Sequence, residues 1–300
     1  MRIVFMGSPE FAIPTLSTLI DSKHEVVACF TQAAKPKNRG KKAKATPVEE
    51  LAREHNITVY TPKTLRDDEI VKTIQDLHVD FIVVVAYGLI LPENILSLAK
   101  YSALNLHPSD LPQFRGAAPL QRTIMSGAIE SKICIIKMLA ALDAGPIYTA
   151  QELNVAKLNY GEFHDLAANI GAKLMLEVIN DFSCLKPVSQ TSHNISYAHK
   201  ISKTEALIDF TQNGTDILNL IRALSPVPGA YFLHKELRLK IFSAEFEITT
   251  HNEQIGKVND DFSIYCKDGL IKPKIIQKPG KKPVPIAEFL HGNQKQNHQA

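Results

Sequence analysis

Residues 81–86 read Phe-Ile-Val-Val-Val-Ala, an almost unbroken β-branched run. A strand with no polar residue on either face has to be covered on both, which is how the central strands of a parallel sheet are built. Similar segments lie on both sides, separated by helical ones. Toward the N-terminus, Arg2–Gly7 is a short apolar strand ended by a Gly-Ser-Pro turn, Phe11–Ile20 has helical spacing, and Val26–Thr31 is a second strand. Thr46–His55 reads as a helix with Thr46 as its N-cap and Pro47 in its first turn. Val59–Tyr60 is extended and Asp67–Leu77 helical. Toward the C-terminus, Ala103–His107, Ile133–Met138 and Pro146–Leu153 are strands, and Phe163–Ile179 is a long amphipathic helix. This alternation predicts an α/β domain over residues 1–185, with a Rossmann-like, doubly wound, mostly parallel sheet.

The pattern changes after Asp181. Residues 186–206 read as a linker, Lys186–Lys203 being polar with no clear period. Asp216–Leu224 reads as a helix ended by the turn Pro226-Val-Pro228-Gly229. Short alternating segments follow at Ala230–Leu233, Arg238–Phe246, Phe262–Cys266 and Lys274–Gln277, with turns such as Lys267-Asp-Gly269 between them. They predict a smaller β-rich domain over residues 207–292, barrel-like in form, and a frayed polar tail over 293–300.

Composition narrows the classes. Of 300 residues, 45% are hydrophobic and 22% charged, which is ordinary globular material for a two-domain chain. The net charge of +3 excludes a polycation, so any grip on nucleic acid has to come from local clusters. The four cysteines, Cys29, Cys134, Cys184 and Cys266, have neither metal-ligand spacing nor a disulfide framework. No metal is expected. The opening residues lack the architecture of a signal peptide and no segment reaches the ~20 apolar residues of a membrane span, so a soluble cytoplasmic protein is expected.

The first turn, Gly7-Ser-Pro-Glu-Phe-Ala12, lacks the further glycines that let a backbone approach a pyrophosphate, and there is no phosphate-binding loop of the Walker type. Chemistry gathers instead in residues 105–122. Asn105 and His107 are two apart on a strand and so share a face, at the C-terminal end where open α/β sheets place ligands. An amide NH₂ can donate to a carbonyl oxygen, and an imidazole can take or give a proton near neutral pH. That pair suits attack of an amine on a carbonyl carbon. Asp143, in Leu142-Asp143-Ala144-Gly145, is positioned to orient and charge-stabilise His107. On the residues alone, an Asx turn or loop cap is the slightly favoured reading of Asp143.

Two basic groups stand out. Lys35, Lys37, Arg39, Lys41, Lys42 and Lys44 lie in a loop with no acid, and Lys272, Lys274, Lys278, Lys281 and Lys282 form a second acid-free group in the C-terminal domain. Mobile cations of this kind can track phosphates, and they can equally be solvated with no partner. Composition and spacing alone stop at a two-domain α/β enzyme able to hold a polyanion.

The motifs go further, because the chain resembles the folate-dependent formyltransferases over nearly its whole length. The resemblance runs through RIVFMGSPEFA (residues 2–12), RGKKAKATPV (39–48), VVVAYGLILP (83–92), Asn105-x-His107, RGAAPLQR (115–122) and LDAG (142–145). In the second half it includes IDF (208–210), IRALSPVPGAY (221–231) and QKPGKKP (277–283). The basic loop, RGAAPLQR and the C-terminal segments point within the family to enzymes acting on methionyl-tRNA. The resemblance implies a Rossmann-like transferase domain joined to an OB-fold-like barrel that binds tRNA. The reaction implied moves a formyl group from 10-formyltetrahydrofolate to the amino group of methionine on initiator tRNA, for translation initiation.

By the same resemblance, Asn105, His107 and Asp143 are the catalytic trio. Ser109, Asp110, Leu111 and Pro112 form a folate-contacting loop, and Val85, Ala86, Tyr87, Gly88, Leu89, Leu139, Ala140 and Leu142 line the pterin pocket. Lys35, Lys37, Arg39, Lys41, Lys42, Lys44, Lys278, Lys281 and Lys282 contact tRNA. A monomer is the default state. The expected mechanism has Asn105 and a protonated His107 stabilising the oxyanion of a tetrahedral intermediate, with Asp143 ordering a proton-shuttling water. The competing readings are a formyltransferase for a nucleotide-linked amino sugar, which needs no basic loop; a folate hydrolase domain; and a non-catalytic RNA-binding protein, which needs no trio. The chain departs from the family pattern at Asp110 and Phe114 in the loop, at Lys132, Cys134 and Ala141 after it, and at Val227. Asp110 and Lys132 introduce charges where the family pattern has Leu and Gly.

Overall fold

The computed structural model describes residues 1–36 and 43–297. Its elements divide into two compact units. The first comprises Met1–Gly116, Ser131–Leu153 and His164–Tyr197, and the second Ala117–Glu130, Asn154–Phe163 and Ala198–Ala300.

The first unit is organised by strands β1 (Arg2–Gly7), β2 (Glu25–Phe30), β3 (Thr58–Tyr60), β4 (Phe81–Val85), β5 (Ser102–His107), β6 (Glu130–Lys137) and β7 (Ile147–Asn154). They form one sheet in the order β7-β6-β5-β4-β1-β2-β3. The pairs β1/β2, β1/β4, β2/β3 and β4/β5 are parallel, whereas β5/β6 is antiparallel. Every residue of β4 is buried, as the unbroken apolar run requires, and its Val83 faces Phe5 of β1 and Leu104 of β5 in register.

Helices α1 (Ile13–Ile20), α2 (Pro47–Glu54), α3 (Asp68–Asp76), the single turn α4 (Glu93–Leu96), α5 (Pro119–Met125) and α6 (Tyr160–Asn180) alternate with the strands along the chain. Thr46 caps α2 as expected, its hydroxyl accepting from the Glu49 backbone N–H at 3.1 Å with Pro47 at the first position. The segment read as a helix from Phe11 begins with a 3-10 turn at Glu10–Ala12 and becomes α-helical at Ile13. Helix α5 is an addition to the elements expected from sequence, with Pro119 at its first position.

The order in which the chain adds strands reverses between the parallel neighbours β1 and β4, and the crevice beyond the C-terminal ends of strands at such a switch point is where open α/β sheets bind ligands. That point is laced by hydrogen bonds. The Ser8 hydroxyl donates to the Tyr87 carbonyl at 3.3 Å, and the Gln32 amide donates to the same oxygen at 2.9 Å.

In the second unit, α7 (Gly214–Leu224) packs on strands β8 (Ala230–His234), β9 (Leu237–Ile248), β10 (Ile264–Cys266) and β11 (Gly269–Gln277). Their sheet runs β8-β9-β11-β10, with Val284–Pro285 pairing on β11. The β8/β9, β9/β11 and β10/β11 pairs are antiparallel, giving a half-barrel around Ile221, Leu224, Phe232, Ile241, Ile264 and Ile276. Helix α8 (Ile286–Asn297) runs past Gly292, into residues expected from their polarity to be frayed. Among the described residues, no helix is long and apolar enough to cross a membrane.

Ile82 is fully buried at the centre of the large sheet, in a cluster with Val4, Phe30 and Ile95. Ile82→Ala is expected to lower the unfolding free energy by about 2–5 kcal/mol, measured by urea denaturation. A drop below about 1 kcal/mol would show that this strand is not close-packed on both faces.

Candidate active site

The site forms where β5 ends. The alternation of β5 sends Asn105 and His107 to one face, as expected, and both are buried. The chain then turns back on itself over residues 108–114. His107 Nε2 lies 3.1 Å from the Phe114 carbonyl oxygen. A carbonyl can only accept, so Nε2 carries the hydrogen. Phe114 reaches this position with φ of 59°, a left-handed conformation unusual for a bulky residue, and its own N–H donates to the Ser196 hydroxyl at 2.9 Å.

Asp143 completes the trio. Its Oδ2 is 3.6 Å from His107 Nδ1, and its Oδ1 is 3.5 Å from the Asn105 amide nitrogen. The backbone N–H of Gly116 donates to Oδ2 at 2.8 Å. Asp143 is itself at φ 45°, tolerable for a short polar side chain. Its main chain is pinned: the Gln190 amide donates to the carbonyls of both Asp143 and Gly145 at 2.8 Å. The Gln190 carbonyl oxygen in turn accepts from Arg115 Nε at 3.1 Å and Nη2 at 2.6 Å. Gly145 must be glycine, since a Cβ there would lie 1.7 Å from the Lys137 carbonyl oxygen.

Burial pushes the His107 imidazole below the usual histidine range. The Asp143 carboxylate and the Phe114 carbonyl pull it back up, and Arg115 adds to the lowering. The resting ring is therefore neutral at physiological pH, with its proton on Nε2. The protonated His107 expected in the reaction would therefore form from a neutral resting ring, because a ring removed from water loses the hydration that favours its charged form. Nδ1 nonetheless faces a carboxylate, so a proton arriving there meets a ready partner.

The other expected residues divide. Ser109 and Leu111 are buried in the loop, Ser109 donating to the Gln113 carbonyl at 2.7 Å. Leu111 packs on Cys134 and Ile136, so its side chain belongs to the wall behind the loop. Pro112 is buried and its carbonyl accepts from the Ser196 N–H at 3.4 Å, while Asp110 pairs with Lys132 at 3.0 Å. In the segment 85–89, Val85 and Tyr87 are buried, Ala86 and Gly88 are exposed, and Leu89 is partly buried. Leu139, Ala140 and Leu142 are exposed.

Of the basic loop, Lys37, Arg39, Lys41 and Lys42 lie outside the described residues. Lys35 and Lys44 face each other in a two-residue antiparallel ladder, with Lys44 Nζ 3.7 Å from Glu50. Lys278, Lys281 and Lys282 line a cavity of about 300 Å³ with Glu288 and Phe289, and Lys278 Nζ sits 5.0 Å from the Phe289 ring centre. Lys272 and Lys274 are acid-free in sequence but not in space: Lys272 pairs with Glu247, and Lys274 with Glu245 at 2.8 Å. Sequence reasoning missed Gln190 and Ser196, which fall in a polar stretch whose lack of period gave no signal.

The Asn105–His107–Asp143 cluster at the strand end brings together an amide donor, an imidazole and a carboxylate, a set chemically compatible with acyl transfer. The chain matches the Formyl transferase family over residues 1–179 and the Formyl transferase, C-terminal domain over residues 200–294. It belongs to the formyl transferase family. Within that family it is 42% identical to the methionyl-tRNA formyltransferase of Rickettsia bellii (strain RML369-C) over 294 residues, 97% of each chain. Among solved structures it is similar to WlaRD, a sugar 3N-formyl transferase determined in the presence of dTDP and 5-N-formyl-THF (TM-score 0.67, 17% identity, 94% of this chain and 99% of that one). It is also similar to the methionyl-tRNA formyltransferase from Clostridium thermocellum (TM-score 0.58, 19% identity, 91% and 99%). HypX from Aquifex aeolicus in complex with tetrahydrofolic acid matches 97% of this chain, which spans only 47% of HypX (TM-score 0.60, 17% identity). At these identities the structures establish the fold.

A folded-state imidazole held below its unfolded value of 6.5 binds fewer protons than the unfolded chain as pH drops through 6.5. Its contribution to stability is present above pH 6.5 and disappears on acidification. His24 and His234 are lowered too, so the effect has to be read as a difference. Between pH 7.5 and 5.5, the wild type is expected to lose more unfolding free energy than His107→Asn, the gap growing by at most about 1.4 kcal/mol per pH unit. Parallel pH dependences in urea unfolding would mean that His107 is not held neutral.

Proposed function

We propose that this chain transfers a formyl group from 10-formyltetrahydrofolate to the amino group of initiator methionyl-tRNA, giving formylmethionyl-tRNA for translation initiation. The single observation that carries the reading is the convergence of Asn105, His107 and Asp143 at the end of β5, in a chain 42% identical throughout to a methionyl-tRNA formyltransferase. Folate as donor is supported by the two folate-type ligands in related structures. The reading includes a cytoplasmic monomer, a catalytic domain over residues 1–185, a connecting segment over 186–206 and a tRNA-binding domain over 207–292.

In this proposal the neutral methionyl amine attacks the formyl carbon. The Asn105 amide, fixed toward Asp143, donates its remaining hydrogen to the developing oxyanion. As the new N–C bond forms, the amine proton passes to the His107–Asp143 pair. Nδ1 is the acceptor, and the imidazolium is then flanked by the Asp143 carboxylate and the Phe114 carbonyl. The pair returns that proton to the folate nitrogen as its bond to the formyl carbon breaks. Ser109, Asp110, Leu111 and Pro112 and the exposed positions Ala86, Gly88, Leu139, Ala140 and Leu142 are assigned to the folate pocket. Lys35, Lys37, Arg39, Lys41, Lys42, Lys44, Lys278, Lys281 and Lys282 are assigned to the tRNA.

Incubation with 10-formyltetrahydrofolate and charged initiator tRNA is expected to yield formylmethionine after deacylation. His107→Ala is expected to lower kcat by ~10²–10⁴ with tRNA affinity unchanged. Folate turnover without tRNA, or formylation of an amino sugar nucleotide, would overturn the choice of acceptor. In a separate measurement, Lys281→Gln with Lys282→Gln is expected to weaken tRNA binding and flatten its log-log salt dependence by about 0.7–0.9 for each phosphate that is no longer neutralised. An unchanged slope removes this cluster from the interface.

A further inference from the structure

We propose that Asp110 and Lys132 form a positioning ion pair that latches the loop after β5 onto β6, and so sets the geometry of His107; the inference rests on the reading above that this site performs formyl transfer. Lys132, Cys134 and Ile136 alternate along β6 and share one face, and each meets the loop. Ile136 and Cys134 pack on Leu111, and Cys134 Sγ donates to the Ser109 carbonyl at 3.3 Å. Lys132 Nζ lies 3.0 Å from Asp110 Oδ1 and 3.8 Å from Glu152 on β7.

The loop transmits this anchor. Gln113 N–H donates to the Asp110 carbonyl at 2.9 Å, and the next residue, Phe114, supplies the oxygen that holds His107. Asp110 and Lys132 are each a little over a third exposed, so the pair is hydrated enough to be reversible and sheltered enough to be directional. Both residues depart from the family pattern noted above, and they meet each other. A lone Asp110 would put an uncompensated carboxylate in a loop assigned to an anionic co-substrate, and Lys132 neutralises it in place. Neither residue touches the trio; Lys132 acts through Asp110 and is the positioning residue, while Asp110 also lies in the loop assigned to the folate.

The test is a charge-swap cycle on the full-length protein, with kcat and KM for formyl transfer and the His107 imidazole titration by NMR. Lys132→Gln is expected to lower kcat roughly two- to five-fold, the range a half-exposed pair supplies. Lys132→Glu gathers three carboxylates and is expected to lower it about tenfold. Adding Asp110→Lys to Lys132→Glu is expected to raise kcat, at saturating 10-formyltetrahydrofolate, well above that of Lys132→Glu alone, as a coupled pair requires, while KM for the folate shifts because Asp110 lies in the loop assigned to it. KM for charged tRNA stays constant throughout, and the gap between wild type and Lys132→Gln narrows at about 1 M salt, where the pair is screened. The His107 titration moves in Lys132→Glu and returns in the swapped protein. Melting curves confirm that each variant is folded, with Lys132→Gln as the mild one. An unchanged kcat and titration in Lys132→Glu, or a swapped protein no better than Lys132→Glu, overturns the latch. A wild type inactive in formyl transfer overturns the functional reading instead, and the His107 titration then decides the latch by itself.

Discussion

The hydrogen bond from the His107 ring to the Phe114 carbonyl, seven residues along the chain, is the constraint around which the site is arranged. A buried imidazole N–H without an acceptor costs about 1–3 kcal/mol, so the chain leaving β5 has to return and supply one. The return forces Phe114 into a left-handed backbone conformation, itself a cost of about 1–3 kcal/mol. The Ser196 hydroxyl, the Arg115–Gln190 hydrogen bonds and the packing of Leu111 against β6 offset that cost. Each support comes from a different stretch of sequence, so the ring orientation belongs to the assembled unit and to no single segment.

The same closure explains the charge state. Water is what stabilises an imidazolium, and the returning loop removes it. What remains is a carboxylate on one side and a carbonyl on the other, both acceptors. Such an environment disfavours charge at rest and favours it at the moment a proton is delivered. A proton-transfer group needs this poise more than it needs a fixed charge, because a permanently protonated ring could accept nothing from an attacking amine. Asp143 is suited to the second role because its backbone is clamped through Gln190 and through the tight approach at Gly145.

What could be read in advance followed from local rules. The apolar run at 81–86 specified a doubly covered strand, Thr46-Pro47 specified a helix start, and the two-residue spacing of Asn105 and His107 specified a shared face. Each depends on one element alone. The antiparallel setting of β6 could not be read, because a strand of eight residues looks the same in either direction. Gln190 and Ser196 were invisible for a related reason: their role is to reach across space from an irregular segment, and irregular segments carry no period. Helix α5 was marked by Pro119 but is too short for its pattern to stand out.

Charge was the least legible property, and the lysines show why. Lys272 and Lys274 lie in an acid-free run, yet their ion-pair partners are Glu247 and Glu245, set diagonally across the β9/β11 ladder, in which Glu245 stands directly opposite Lys272. Asp110 looked like an added charge beside a ligand loop, yet Lys132, twenty-two positions away, lies within 3.0 Å of it. Antiparallel pairing brings distant positions together at a spacing shorter than the Debye length of about 8 Å, whereas a run along one exposed strand or loop spreads its charges over a longer span. Lys278, Lys281 and Lys282 follow the end of β11 and line one cavity together with Glu288 and Phe289, so there the neighbours come from helix α8 and not from a paired strand.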